Sequence, residues 1–255
     1  LLKKRNEKAK SLGYENYAVM CYELNGLGWE WFVKLVDEFD AKTIKPYKKL
    51  LAEIKKEKNI EEVEFQDVIS YAGEYNRARY NLSIDNTAND SLMNETLAGI
   101  GINFKKLPIR FVVKNIPYGG NGLAIQVPDD FRVVLQEKMP LEVWMHELGH
   151  GLHAMFTKTE YPILKGYEWC MGASCAGFAE GMAETSARFV RNNEWIRKQT
   201  ENAEELIQNR DKIKKAYSSL YLRQNMIGFL FEVEFYKDLD QNPTELLDKL
   251  YKKYL

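Results

Sequence analysis

The chain has 255 residues, 45% of them hydrophobic and 29% charged, and its 36 Lys and Arg nearly cancel its 37 Asp and Glu to leave a formal net charge of -1. That balance argues against a nucleic-acid partner and against a basic face lying on a membrane. No apolar run approaches the roughly 18 residues of a membrane span, while the length suffices for a substantial core in one large domain or two lobes.

From the N-terminus, Leu1-Leu-Lys-Lys-Arg5 is already helical in composition, with neither a starting Met nor a signal-peptide pattern. The expectation is a chain that begins inside a longer protein. Gly13 reads as a helix stop, after which Tyr14–Leu24 resumes; further helices are predicted at Leu27–Phe39 and Pro46–Lys58. The charged run Glu53–Glu64 predicts a solvated face and a turn. Phe65–Asn81 reads as a helix whose Tyr71, Tyr75 and Tyr80 either line a cleft or pack in the core. Asp85–Asp90 reads as a polar break, and Leu92–Ile100 as a short helix.

The hydrophobic period then changes. Ile109–Lys114, Leu123–Val127 and Phe131–Leu135 alternate like strands, the last two joined tightly through Pro128-Asp-Asp130. Gly119–Gly122 reads as a hairpin turn lying over a site rather than as a phosphate loop, because no helix opens directly after it. The cysteines Cys21, Cys170 and Cys175 form an odd set without Cys-x-x-Cys spacing, as expected of reduced thiols in a cytoplasmic protein.

The most informative stretch follows, Trp144-Met-His-Glu-Leu-Gly-His-Gly-Leu-His-Ala-Met-Phe156. It holds all three histidines of the chain, His146, His150 and His153. Residues four apart on a helix stand about 40° from each other around the axis, so the imidazoles of His146 and His150 can grip one ion. His153 falls in the same narrow stripe, whereas Leu141, Met145, Leu148, Leu152, Met155 and Phe156 lie broadly opposite. Glu147, about 100° round from His146, stands beside the metal face, which suits a group that handles a metal-bound water without ligating the ion.

A catalytic zinc site wants three protein ligands and one open position. Ala176–Phe189 supplies a candidate third ligand. Its helical pattern places Glu180, Glu184 and Ala187 on one side, with Phe178, Met182 and Phe189 opposite. Glu180 completes a His-His-Glu set, and Glu184, one turn on, is placed to receive the outer N–H of a ligating imidazole. The Gly and Ala around these acids allow another helix to come close.

His146-Glu-Leu-Gly-His-Gly-Leu-His153 resembles the H-E-x-G-H-x-x-H pattern of the oligopeptidase family that includes thimet oligopeptidase and oligoendopeptidase F. Gly177-Phe-Ala-Glu-Gly-Met-Ala-Glu184 is similar to the G-F-H-E-A-I-G-D segment of angiotensin-converting enzyme, in the same gluzincin clan. Arg5–Tyr17 resembles that family's R-x-x-x-A-x-x-L-G-Y-x-N-Y helix. The resemblance implies a mainly α, zincin-type fold with a small antiparallel sheet before the H-E-x-x-H helix. It implies a single catalytic region: a helical lobe at 1–108, the sheet at 109–136 and metal-site helices at 137–255. It further implies Zn2+ on His146, His150 and Glu180, Glu147 as the catalytic base, and Glu184 and His153 in supporting roles around the ligands. An edge strand of the sheet would hold extended peptide by main-chain hydrogen bonds.

On this reading the chain is a zinc peptidase acting on short peptides. It departs from the family in one respect. Family members are longer, and a C-terminal Tyr, often with a His, stabilises their oxyanion, whereas no His follows His153 here. Tyr217, Tyr221 and Tyr236 are the candidate substitutes. Two other readings stay open, a zinc-containing peptide-binding protein with little turnover and a helical scaffold stapled by structural zinc.

Overall fold

A computed structural model describes residues 1–71, 86–137, 139–161 and 176–255, the side chains of 86, 87, 209 and 212–217 excepted. Tyr75, Tyr80, Cys170, Cys175 and the side chain of Tyr217 lie outside the described residues. The protein is mainly helical with a small three-stranded mixed sheet. The chain divides into two compact units, one made of Leu1–Asn76 with Asn209–Leu255, the other of Arg77–Gln208.

In the first unit, α1 (Leu2–Ser11) ends before Gly13, whose φ of 91° is open to glycine, and α2 (Tyr17–Leu24) starts on an Asn16 side chain that accepts from the Val19 N–H. The two helices expected on either side of Pro46 are one continuous helix, α3 (Trp29–Lys58). Proline removes one backbone hydrogen bond and costs about 3 kcal/mol within a helix. Here Val36, Tyr47, Leu50 and Ile54 are buried at helical spacing on both sides of it, so packing carries the helix through. Residues 65–71 are helical, and Tyr71 packs with Tyr47, Leu50, Ile54, Val68 and Leu220, which decides for core rather than cleft.

The last helices are α8 (Ala203–Lys237) and α9 (Pro243–Tyr254), the latter capped by Asn242 as its Asn-Pro start predicts. The buried side of α8 is not wholly apolar. Tyr221 is 52% exposed, whereas Arg223 is 1% exposed between Leu220 and Ile227. Its guanidinium donates to the Tyr254 carbonyl at 2.6 Å, Asp40 Oδ1 at 2.8 Å and Thr43 Oγ1 at 2.9 Å, and lies over the Tyr47 ring. Burying a cation is tolerated only with such a full set of acceptors.

In the second unit, α4 (Asn86–Ala98) already includes the polar stretch read as a break, because Asn89, Met93 and Leu97 share its buried side. Strands β1 (Ile109–Lys114), β2 (Gly120–Gln126) and β3 (Asp130–Gln136) follow, in the order β1-β3-β2. β2 and β3 pair antiparallel across the short turn as predicted, but β1 runs parallel to β3, so the sheet is mixed rather than antiparallel. β1 adds to the free side of β3 instead of forming a hairpin with β2. Phe131, Val133 and Leu135 alternate onto the buried face of the central strand. They meet α5 (Leu141–Phe156), whose Trp144, Met145, Leu148 and Leu152 complete the core, with Phe111 stacked on Trp144.

Three more helices concern the site and its flank: α6 (Ala176–Val190), α7 (Asn193–Gln199) and the start of α8. Among the described residues no helix is long and apolar enough to cross a membrane.

Candidate metal centre

α5 and α6 pack side by side, and small residues make that possible. The buried face of α6 is Ala179, Ala183, Ser186, Ala187 and Val190, while Phe178, Met182 and Phe189 remain exposed. The close approach is made by Gly149, within the H-E-x-x-H segment. A Cβ there would lie 2.7 Å from Ala183 Cα and 2.9 Å from Ser186 Oγ. Gly177 and Gly181, which the sequence also offers for this purpose, have open space around them. Gly149→Ala is therefore expected to destabilise the fold by about 1–2 kcal/mol, overpacking against backbone outweighing the gain in helix propensity. Denaturant unfolding checks this; an Ala variant as stable as the wild type would contradict the spacing.

This packing brings His146 and His150 of α5 against Glu180 of α6. His146 Nε2 stands 3.3 Å from Glu180 Oε2, and His150 Nε2 stands 3.6 Å from Glu180 Oε1. One donor atom from each of the three lies within 4.8 Å of the others, and the group can hold a metal ion. Donors bound at zinc-ligand lengths around a tetrahedral ion stand roughly 3.3–3.5 Å apart, so the spacing fits with little adjustment. An ordinary ion pair would also bring His and Glu together. It would not require two Nε2 atoms to converge on the two oxygens of a single carboxylate.

The other nitrogen of His146 is accounted for. Its Nδ1 faces Glu184 Oε1 at 3.4 Å. That contact is the leading cause of a His146 pKa raised above the ordinary histidine value. Glu184 is in turn held at about 2, first by His146 and then by Arg191, against an opposing desolvation cost. Arg191 Nη1 donates to Glu184 Oε2 at 2.6 Å, and its Nη2 also donates to Glu142 Oε1 on the first turn of α5. Sequence reasoning missed Arg191 and Glu142. Glu142 stands four residues before His146, the one signal that could have marked it.

Glu147 is 8% exposed and is not one of the three clustered donors. Burial pushes its carboxyl up; His146 opposes the shift and Glu180 adds to it. The backbone N–H of Gly122 hydrogen-bonds the carboxylate. Gly120 and Gly122, expected in a turn, belong to β2 and run against α5. A Cβ at Gly120 would meet Glu147 Cγ at 3.0 Å, and one at Gly122 would meet His150 Cβ at 2.9 Å. These glycines let a strand lie directly over the donors, which explains the Gly-rich composition better than a hairpin does.

His153 is buried, its ring edge-on to Phe178 with centroids 5.6 Å apart, and it is not among the three clustered donors. Of the tyrosines considered as oxyanion donors, Tyr221 is exposed on α8. Tyr236 is buried with its ring 5.3 Å from that of Tyr17 and its hydroxyl hydrogen-bonded to Arg5. Compared with protein-family models, curated proteins and solved structures, the chain matches none.

Proposed function

We propose that this chain is a zinc-dependent peptidase that hydrolyses peptide bonds in short peptides. The observation that carries the reading is a His146-His150-Glu180 donor set with a buried carboxylate, Glu147, alongside it and outside it. Two imidazoles and a carboxylate suit zinc among common divalent ions. Among the described residues the group offers three protein donors, which leaves a position for water or substrate, whereas a structural zinc is closed by four. When bound, zinc would bring the pKa of its water toward about 7 and polarise a carbonyl oxygen.

The remaining chemistry falls to the protein. Glu147, held by the Gly122 N–H, takes a proton from the attacking water and passes it to the leaving amine. Glu184 orients His146, and His153 braces the far end of α5. Among the described residues β2 is an edge strand, since β3 is paired on both sides and β2 on one. An extended peptide pairing with its free edge would lie along the strand that covers Glu147 and His150.

The test is to titrate the purified protein with Zn2+ and present it with a diverse peptide mixture. About one zinc per chain and cleavage that a chelator abolishes are expected. Zinc binding with no cleavage of any peptide would replace the peptidase with a zinc-containing peptide-binding protein. Absence of zinc binding would remove the metal reading altogether.

A further inference from the structure

Three charged groups outside the donor set form a chain that ties the two ligand-bearing helices together. Glu142 lies on the first turn of α5, one turn before His146. Glu184 lies on α6, one turn after Glu180. Arg191 follows the end of α6, and its guanidinium reaches both carboxylates, Glu184 Oε2 at 2.6 Å through Nη1 and Glu142 Oε1 through Nη2. A second contact from Nη2 to Glu184 Oε1, at 3.5 Å, brings both terminal guanidinium nitrogens to this carboxylate. The oxygen it meets there, Oε1, is the one that faces His146 Nδ1. The three side chains are partly shielded, with exposures of 28% for Arg191, 18% for Glu142 and 44% for Glu184.

We propose that Arg191 is a positioning residue of the metal centre: it locks the Glu184 carboxylate against His146 and, through Glu142, holds α5 and α6 at the separation the three donors require. The proposal rests on the reading that His146, His150 and Glu180 bind a divalent metal. Its physical basis is the planar guanidinium, which presents several N–H donors in a fixed fork and can satisfy two carboxylates at once. A carboxylate free to rotate would hold the His146 imidazole through only part of its orientations; one gripped by a fork holds it in one. The donors are then arranged before the ion arrives, and less ordering is left for metal binding to impose. Orienting groups of this kind typically change metal affinity 10–100-fold.

The experiment measures the zinc dissociation constant by competition with a chromophoric chelator for wild type, Arg191→Ala, Glu184→Gln and the double variant. The visible spectrum of each protein loaded with Co2+ reports the donor arrangement. Arg191→Ala is expected to weaken zinc binding roughly 10–100-fold and to alter the cobalt spectrum. The double variant should be no weaker than the worse single variant, because the two residues act through one another. If Arg191→Ala fails to fold, Arg191→Lys takes its place in the same cycle: it keeps the charge and loses the fork, so weakened binding is again expected. Zinc affinity within about threefold of wild type, or losses that simply multiply in the double variant, would overturn the proposal. Wild-type protein that binds no zinc would overturn the metal reading together with it, whereas zinc-binding wild type with an indifferent Arg191 variant overturns this proposal alone.

Discussion

Glu147→Gln is expected to lower peptide hydrolysis by about 10²–10⁴-fold while zinc content stays at the wild-type level. The substitution keeps the side chain's shape, and its amide oxygen can still accept the Gly122 N–H that the carboxylate accepts now. What is lost is the capacity to take a proton. None of the three clustered donors is touched, so metal retention is the internal control. Steady-state cleavage of a fluorogenic peptide, with metal analysis on the same sample, checks both halves. Unchanged cleavage would remove Glu147 from the mechanism. Lost zinc would mean that its carboxylate belongs to the metal site after all.

The second large effect is expected from the donors themselves. His146→Ala and Glu180→Ala should each reduce zinc occupancy from about one per chain to a small fraction, and hydrolysis should fall with it. The two substitutions leave different remainders. Loss of Glu180 leaves both imidazoles on one helix with no carboxylate between them. Loss of His146 leaves Glu184 with Arg191 but without its imidazole neighbour. Metal analysis after dialysis against zinc-free buffer measures the outcome, and circular dichroism establishes that the helices persist. Full occupancy in both variants would overturn the donor assignment.

The helices were largely legible because helix signals are local. Gly13 and Asn242 act within a few residues of themselves, and the observed stop and cap follow. The same locality placed His146 and His150 on one stripe of α5. The misreadings arose where a local signal met a competing long-range one. Pro46 argues for a break, yet buried residues on both sides of it continue α3. The polar start of α4 argues for a loop, yet Asn89 is buried against the Met139 carbonyl. The glycines before Leu123 argue for a turn, yet they are smooth backbone laid against α5.

From the sequence alone came the mainly helical class with one small sheet, the identity of the candidate donors and their grouping by face. Those follow from periodicity, which states in which direction a side chain leaves its own element. Tertiary structure decided which elements meet and how closely. It placed β1 parallel beside β3, used Gly149 rather than Gly177 or Gly181 for the helix approach, and turned His146 Nδ1 toward Glu184. It also bridged Glu142 to Arg191 across 49 residues of chain. Such pairings depend on the distance and angle between two elements, and neither quantity is written in the pattern of either one.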